Sequence, residues 1–327
     1  MQCAEGYGRH LTLGVEEELM LLDAETLALA PGVERLLGPP GLKTELFSCL
    51  IETNTPVCET AAEVLAELER LRAEVREAAS REGIVTAATG AHPFSQPEEQ
   101  EIIQERRYLA MLAERPSARR QLVCGLHVHV GMETFERCLA TLEAILPWLP
   151  AVLALSVNSP YLEPVEPGVL SARAGRLLEL PRAGAPPPLP DRISWERVAS
   201  AVADYTKIWW DVRPHPRLGT LEIRIADQQT SVHRSGAFAA LLQALCVSAE
   251  PAARPLDRDD YLHERVRATR GDTHTNELLA LVEQPSRELG TWELVELLRE
   301  PPEAHRQLEV GQRSGREAVA ADVVARS

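Results

Sequence analysis

The stretch LTLGVEEELMLLD, Leu11 to Asp23, sets three consecutive glutamates inside an otherwise apolar run. Leu11, Leu13, Val15, Leu19 and Leu21 recur at every second position, the spacing of a β-strand over 11–22. Residues two apart on a strand share a face, so Glu16 and Glu18 present neighbouring carboxylates while Glu17 points the other way. Glu17 thereby falls on the face of Leu13, Val15 and Leu19, where a carboxylate needs a partner or a peripheral position. Two carboxylates held together at low dielectric ordinarily protonate one member, and a divalent cation removes that penalty. Hard oxygen ligands suit magnesium or manganese. A solvated edge strand is the plainer alternative for this segment taken alone.

Other segments repeat the pattern of charge on a strand. In ELFSCLIETNTPVCE, Glu45 and Glu52 flank a strand expected over 46–53. Strict alternation puts them on opposite faces, so a shared metal site requires a bend or bulge between them. His127 and His129 in CGLHVHVGM lie on one strand face and offer one or two imidazole ligands, although a satisfied core histidine is the simpler reading for either. Glu222 and Arg224 in GTLEIRIAD share a face too, as a metal ligand beside a guanidinium fork or as a mere ion pair. Arg213 and Arg217 in WWDVRPHPRLG are further anion clamps, while Trp209 and Trp210 can close a core.

The connecting chain reads as helical. Thr60 and Glu63 form a capping box ahead of Val64, Leu65, Leu68, Leu71 and Val75, with a stop at Gly83. Helices are expected over 98–113, over 133–156 with a break near Pro147 and Pro150, and through SGAFAALLQALCVSAE. Residues 164–192, rich in proline, read as an extended, lid-like excursion. Beyond 255 the expectation is helical segments divided by Gly271, Pro285 and Gly290. Neither an internal repeat nor a glycine-rich dinucleotide fingerprint is evident, and an α+β arrangement of a mixed or antiparallel sheet packed against helices fits best.

Charge and cysteine usage exclude some classes. A formal net charge of −15 repels phosphate backbones, so nucleic acid is a poor partner, and an anionic small substrate would need cations at the contact point. The six cysteines, Cys3 among them, form no CxxC pair and read as reduced thiols. MQCAEGYGRH lacks a long apolar run and LPAVLALSV is too short to span a bilayer, so the expectation is a cytoplasmic chain with no membrane partner.

Taken together, LTLGVEEELMLLD, ELFSCLIETNTPVCE, GAHPFS, CGLHVHVGM, ALSVNSPYL and WWDVRPHPRLGTLEIRIADQQT resemble, in order, the glutamate–cysteine ligase type 2 family of ATP-dependent carboxylate–amine ligases. The resemblance covers roughly residues 11–245. It implies a single ligase domain over 1–327, with a curved, mainly antiparallel sheet, helices packed outside, and a catalytic architecture of glutamine-synthetase and guanido-kinase type. It also implies ATP and magnesium, with manganese as a substitute. Carried over by position, Glu16, Glu18, Glu45, Glu52, His127 and Glu222 match metal-site residues, and His129 transfers less securely. His127, Arg213 and Arg224 match nucleotide or phosphate contacts, with Arg224 and Glu52 at the reacting groups. The implied partners are a carboxylate such as glutamate and an amine such as cysteine, with a homo-oligomer possible. The chain lacks a GxxxxGK[ST] loop, but this does not argue against ATP, because the family's pattern implies metal-bridged carboxylates that position the phosphates. Residues 255–327 resemble the family only loosely and read as a divergent, shortened helical region: YLHERVRATRGDTHTNELL lacks the Asn and Trp expected there. Two other readings stand beside the ligase: a metal-dependent hydrolase using His127 and His129, and a nucleotide-binding regulatory protein that has lost ligase chemistry.

Overall fold

A computed structural model of the chain describes residues 6–162, 166–202, 204–248, 250 and 256–327. Cys3 and Pro164 lie outside the described residues. The central strand β1, Leu13–Asp23, is the longest: apolar residues line one face except at Glu17, and both faces from Leu19 to Leu22. It is followed along the chain by β2 (Leu42–Thr44), β3 (Leu50–Asn54), β4 (Ile84–Ala87), β5 (Leu126–Gly131), β6 (Ala183–Gly184), β7 (Trp209–Trp210), β8 (Val212–His215) and β9 (Thr220–Ile223). Seven of these make one sheet in the order β2-β3-β1-β5-β9-β8, with β4 pairing the C-terminal half of β1. Every pairing in it is antiparallel, while β6 and β7 form a separate parallel ribbon.

Alternation sorts the two sheet faces. Leu13, Val15, Leu126, Val128, Val130, Leu221, Ile223 and Val212 share one face and are buried in one apolar core. The helices Ala61–Ser80 and Val232–Ser248 cover that face. The first starts where the sequence predicts: Thr60 Oγ1 accepts from the Glu63 N–H at 3.2 Å. The Glu63 carboxylate closes the box one residue early, accepting from the Glu59 N–H at 2.8 Å. Val64, Leu68, Leu71 and Val75 then line its buried stripe. The apolar run Phe135–Ser156 is core, split by a 3₁₀ turn at Leu146–Trp148 where Pro147 removes a donor.

Glu17 lies on the helix-covered face and is fully buried. Arg72, from the helix Ala61–Ser80, meets it with a two-pronged fork, Nη2 to Oε1 at 2.7 Å and Nε to Oε2 at 2.8 Å. Gln228 and Ser235 also donate to Oε1, at 2.7 and 2.5 Å. Burial pushes this carboxyl up, and the Arg72 charge together with the hydrogen bonds from Arg72, Ser235 and Gln228 outweighs it and holds the group below its ordinary value.

Several sequence expectations change. The strand expected over 46–53 begins only at Leu50, because Ser48 and Cys49 are in a turn. The helix expected over 98–113 forms only in its second half, Arg106–Glu114, after a 3₁₀ turn at Pro97–Glu99 and an irregular stretch over 100–105. Pro285 does not divide a helix but lies inside Thr275–Glu288. The described part of the proline-rich excursion is pinned rather than lid-like: it contains the helix Ala172–Leu177, capped by Ser171 Oγ, with Ala172 and Arg173 buried. The C-terminal stretch is integral to the packing. Gln307 Nε2 donates to Asn158 Oδ1 at 2.7 Å and to Thr89 Oγ1 at 2.9 Å. Arg265 Nε and Tyr261 Oη both donate to Asp211 Oδ2, at 2.7 and 2.8 Å.

Candidate active site

The other sheet face carries the charge. Register sets Glu18 opposite Glu52, Glu16 opposite His127, His129 opposite Glu222, and Glu222 opposite Arg213. Lys43 on β2 stands opposite Glu52 at the far end of this row. Six strands thus lay one band of polar side chains across a single face. A cavity of about 800 Å³ opens on it, and Glu16, Glu18, Glu45, Glu52, His127, Arg213, Glu222 and Arg224 all line it. Glu45 reaches the cavity because it lies in the irregular turn between β2 and β3, the bend that alternation demanded. Arg217 lines the cavity from an exposed turn.

Two triplets of ligand atoms emerge, each with its members within 4.8 Å of one another: Glu16, His129 and Glu222, and Glu18, Glu45 and Glu52. His129 is the histidine of the first triplet, and His127, expected from sequence as a ligand, lines the same cavity outside both triplets. His129 lies diagonal to Glu16 and directly across from Glu222, whereas His127 Nδ1 lies 3.3 Å from Glu16 and 3.4 Å from Arg224 Nη1. Which of two same-face histidines joins the carboxylates depends on the β1–β5–β9 register, which HxH spacing does not encode. Lys43 and Arg173, which also line the cavity, were missed for want of a motif.

The electrostatics of the triplets differ. At the first, burial pushes the Glu16 carboxyl up, but the His127 and His129 imidazoles beside it outweigh that and hold the group well below the usual range. Burial likewise opposes the ionised form of Glu222, and Arg213 and Arg224 overcome it. Arg213 binds Glu222 through Nε at 2.6 Å and Nη2 at 3.0 Å, and Arg224 Nη1 donates to the same carboxylate. Burial and the Arg224 charge push His127 down to about 4, so it is neutral at pH 7. At the second triplet, burial and the charges of Glu52 and Glu18 push Glu45 well above its ordinary value, and burial lifts Glu18 as well. Lys43 Nζ approaches Glu52 Oε1 at 3.3 Å.

Both triplets fit divalent cations on their own chemistry. His129 Nε2 is buried with no hydrogen-bond partner among the described residues and lies 3.6 Å from Glu16 Oε1, an orphaned lone pair or N–H aimed at a carboxylate. Its Nδ1 is engaged by Thr220 Oγ1 at 2.9 Å, which fixes the ring as a ligating histidine requires. Three crowded carboxylates, one driven towards protonation, form an oxygen-only donor set for a hard ion.

Comparison with known proteins agrees. The sequence profile of glutamate-cysteine ligase family 2 (GCS2) matches residues 12–320, reaching well into the C-terminal stretch that the motifs left loosely matched. Two Rubrobacter xylanophilus proteins, provisionally named glutamate–cysteine ligase 2-1 and 2-3, are 37% and 40% identical over 276 and 267 residues. These alignments cover 79% and 76% of this chain and 73% of each relative. Among solved structures, a Francisella tularensis glutamate–cysteine ligase in complex with AMP superposes with a TM-score of 0.70 at 12% identity, covering 98% of this chain and 89% of that one. A bifunctional glutathione synthetase from Pasteurella multocida gives 0.70 at 14% identity, covering 96% of this chain and 52% of that one. The family profile and these relatives define a carbon–nitrogen ligase. The chain belongs to glutamate–cysteine ligase family 2.

Proposed function

We propose that the chain is an ATP-dependent carboxylate–amine ligase that uses magnesium, or manganese in its place, and forms γ-glutamylcysteine or a related amide. The observation that carries this reading is the pair of ligand triplets side by side on one sheet face, with Arg213 and Arg224 at one end. Glu16, His129 and Glu222 would hold one ion, and Glu18, Glu45 and Glu52 the other. Bound divalent ions screen triphosphate charge and favour phosphoryl transfer. Drawing Glu222 into ligation frees the guanidinium forks of Arg213 and Arg224, whose planar geometry then suits phosphate oxygens. Neutral His127 adds no charge there and spaces Glu16 from Arg224.

The reaction activates a poor acyl donor. A carboxylate oxygen of the donor attacks the γ-phosphorus, and the bond from that phosphorus to the β,γ-bridging oxygen breaks, releasing ADP. The amine nitrogen then attacks the acyl carbon, and the bond from that carbon to the phosphate oxygen breaks, with the nitrogen's proton balanced on the departing phosphate. Arg224, at the phosphate end, stabilises the charge spread over the transferring group. The test is ADP release across amino-acid pairs, glutamate with cysteine first, with mass spectrometry of the condensed product. Absence of both stimulated turnover and amide refutes the reading.

A further inference from the structure

We propose that Arg173 and Arg265 are positioning residues for Arg224, which they hold through a β-bulge just beyond β9; the assignment rests on the ligase reading above. The ladder between β5 and β9 loses register there. Val128 stands opposite Ile223, yet Gly125, three residues back, stands opposite Asp227, four residues on. Arg224, Ile225 and Ala226 therefore face only Leu126 and His127. Ile225 and Ala226, neighbours that strict alternation would send to opposite faces, are both buried in the helix-covered core. The Leu126 N–H donates to the Ala226 carbonyl at 3.1 Å, which fixes the shifted register. A bulge of this kind kinks the strand and re-aims the side chain beside it, and it interrupts ladder bonds that other groups must replace.

A closed frame of hydrogen bonds replaces them. Arg173 Nη2 donates to the Arg224 carbonyl and Nη1 to the Ile225 carbonyl, each at 3.1 Å. Gly125 leaves room for this reach, since a Cβ there would stand 2.1 Å from Arg173 Nη2. On the other side the Arg224 N–H donates to the Asp211 carbonyl at 2.8 Å. Asp211 is itself fixed, its N–H donating to the Gly184 carbonyl at 2.8 Å and its carboxylate gripped by Arg265 through Nε at 2.7 Å and Nη2 at 3.1 Å. Arg265 Nη1 then donates to the Ala174 carbonyl at 2.8 Å, one residue from Arg173 on the helix Ala172–Leu177, and the frame closes. Arg224 is thus held at both ends of its backbone while its guanidinium reaches Glu222 and the cavity. Arg265 is 1% exposed and does not line the cavity, so its effect on a bound ligand is transmitted through Asp211 and the bulge. By this route the helix Arg258–Ala268 of the C-terminal stretch governs the phosphate end of the site.

The experiment compares wild type with Arg173→Lys and Arg265→Lys, each of which keeps a buried charge and deletes a two-pronged fork. Glu17→Gln serves as a variant weakened away from the cavity. Calorimetry measures magnesium–ADP binding without and with aluminium fluoride, a mimic of the transferring phosphoryl group, and turnover with the amino-acid pair that the ligase assay selects gives kcat and KM. Both lysine variants are expected to hold magnesium–ADP affinity and KM for ATP within about 2-fold. They should lose the affinity added by aluminium fluoride by about 10-fold or more and lower kcat by about 10–100-fold, because a misplacement of about 1 Å costs up to about 100-fold. Glu17→Gln should lose stability and keep both responses. An unchanged kcat and fluoride response in either folded lysine variant overturns the assignment. Parallel loss of magnesium–ADP affinity also overturns it, because that marks residues that merely shape the cavity, and so does an equal fall of kcat in Glu17→Gln. If Arg173→Lys does not fold, Arg265→Lys, remote from the ligand, decides the question alone. A wild type that binds magnesium–ADP but gains nothing from aluminium fluoride overturns the assignment and leaves nucleotide binding standing. A wild type that binds no magnesium–ADP removes the functional reading itself.

Discussion

Substituting Glu17→Gln keeps the shape of a buried side chain and deletes its charge, which isolates the electrostatic argument for the helix-covered face. Four donated bonds converge on this carboxylate, two of them from Arg72, which is itself 2% exposed. An amide offers one acceptor oxygen where two are needed, and its NH₂ must face donors on Arg72, Gln228 or Ser235. The Arg72 guanidinium then remains buried without its carboxylate, held by Thr230 O at 2.6 Å, Gln229 O at 2.8 Å and Ser235 Oγ at 3.4 Å among others. Breaking a buried pair by removing one partner costs about 3–5 kcal/mol. That is a large share of the roughly 5–15 kcal/mol that holds a domain together. Urea unfolding followed by tryptophan fluorescence reads the loss directly, and the unfolding temperature should fall by roughly 6–12 °C. The double variant Glu17→Met with Arg72→Met should lose less than the sum of the singles, with a coupling of about 1–3 kcal/mol. Magnesium binding should survive in Glu17→Gln, because this carboxylate points away from the cavity. A loss below about 1 kcal/mol in the single variant would refute the view that the pair is isolated from water.

Three further outcomes follow from the site and its supports. Glu45→Gln removes one of three crowded carboxylates, so it should raise the urea midpoint of the metal-free protein at pH 7 and weaken magnesium binding, measured by calorimetry, by about 10-fold or more. Arg224→Ala should lower ATP turnover by about 10³-fold in a coupled ADP assay while the urea midpoint changes far less than in Glu17→Gln. His92, buried and bonded from Nε2 to the Leu27 carbonyl at 3.0 Å, is pushed down to about 4 by burial. The unfolded chain therefore binds its proton first, and its contribution is intact above about pH 6.5 and lost as pH falls towards 4, a change of roughly 3 kcal/mol. Urea midpoints taken across that window should slope less steeply in His92→Asn, and an unchanged slope counts against the assignment.

What the sequence discloses here is set by the range over which each interaction acts. The sorting of Glu16 and Glu18 from Glu17 is a local consequence of strand alternation and is legible in five residues. So is the cap at Thr60, because a hydroxyl three residues from its donor needs no tertiary partner. The partner of Glu17 was not legible: Arg72 is 55 residues away on a helix face, and nothing in its spacing distinguishes it from an exposed arginine such as Arg70. The choice of His129 over His127 hangs on register between three strands that are joined only in space. Arg173 was hidden for a further reason, since its place at the cavity comes from what surrounds it: the glycine just before β5, two carbonyls after β9 and a serine-capped turn of helix in a proline-rich segment.

The three glutamates of β1 can now be weighed as one design. An isolated strand with this sequence would expose an acidic row on one face and bury one charge on the other, and neither state is stable alone. The protein answers the buried charge with a fixed internal cation, Arg72, a permanent solution that contributes to the fold. It leaves the charges on the cavity face partly unanswered, with Glu45 and Glu18 driven towards protonation and Glu222 held by arginines. Under the proposed function such a surface receives cations that come and go with a substrate, and its repulsion is part of the affinity it offers them. Filling that face with fixed counterions should therefore stabilise the empty protein and cost it magnesium, whereas removing Glu17 should cost stability and spare it. These opposite responses from adjacent residues of one strand separate structural charge from functional charge in LTLGVEEELMLLD.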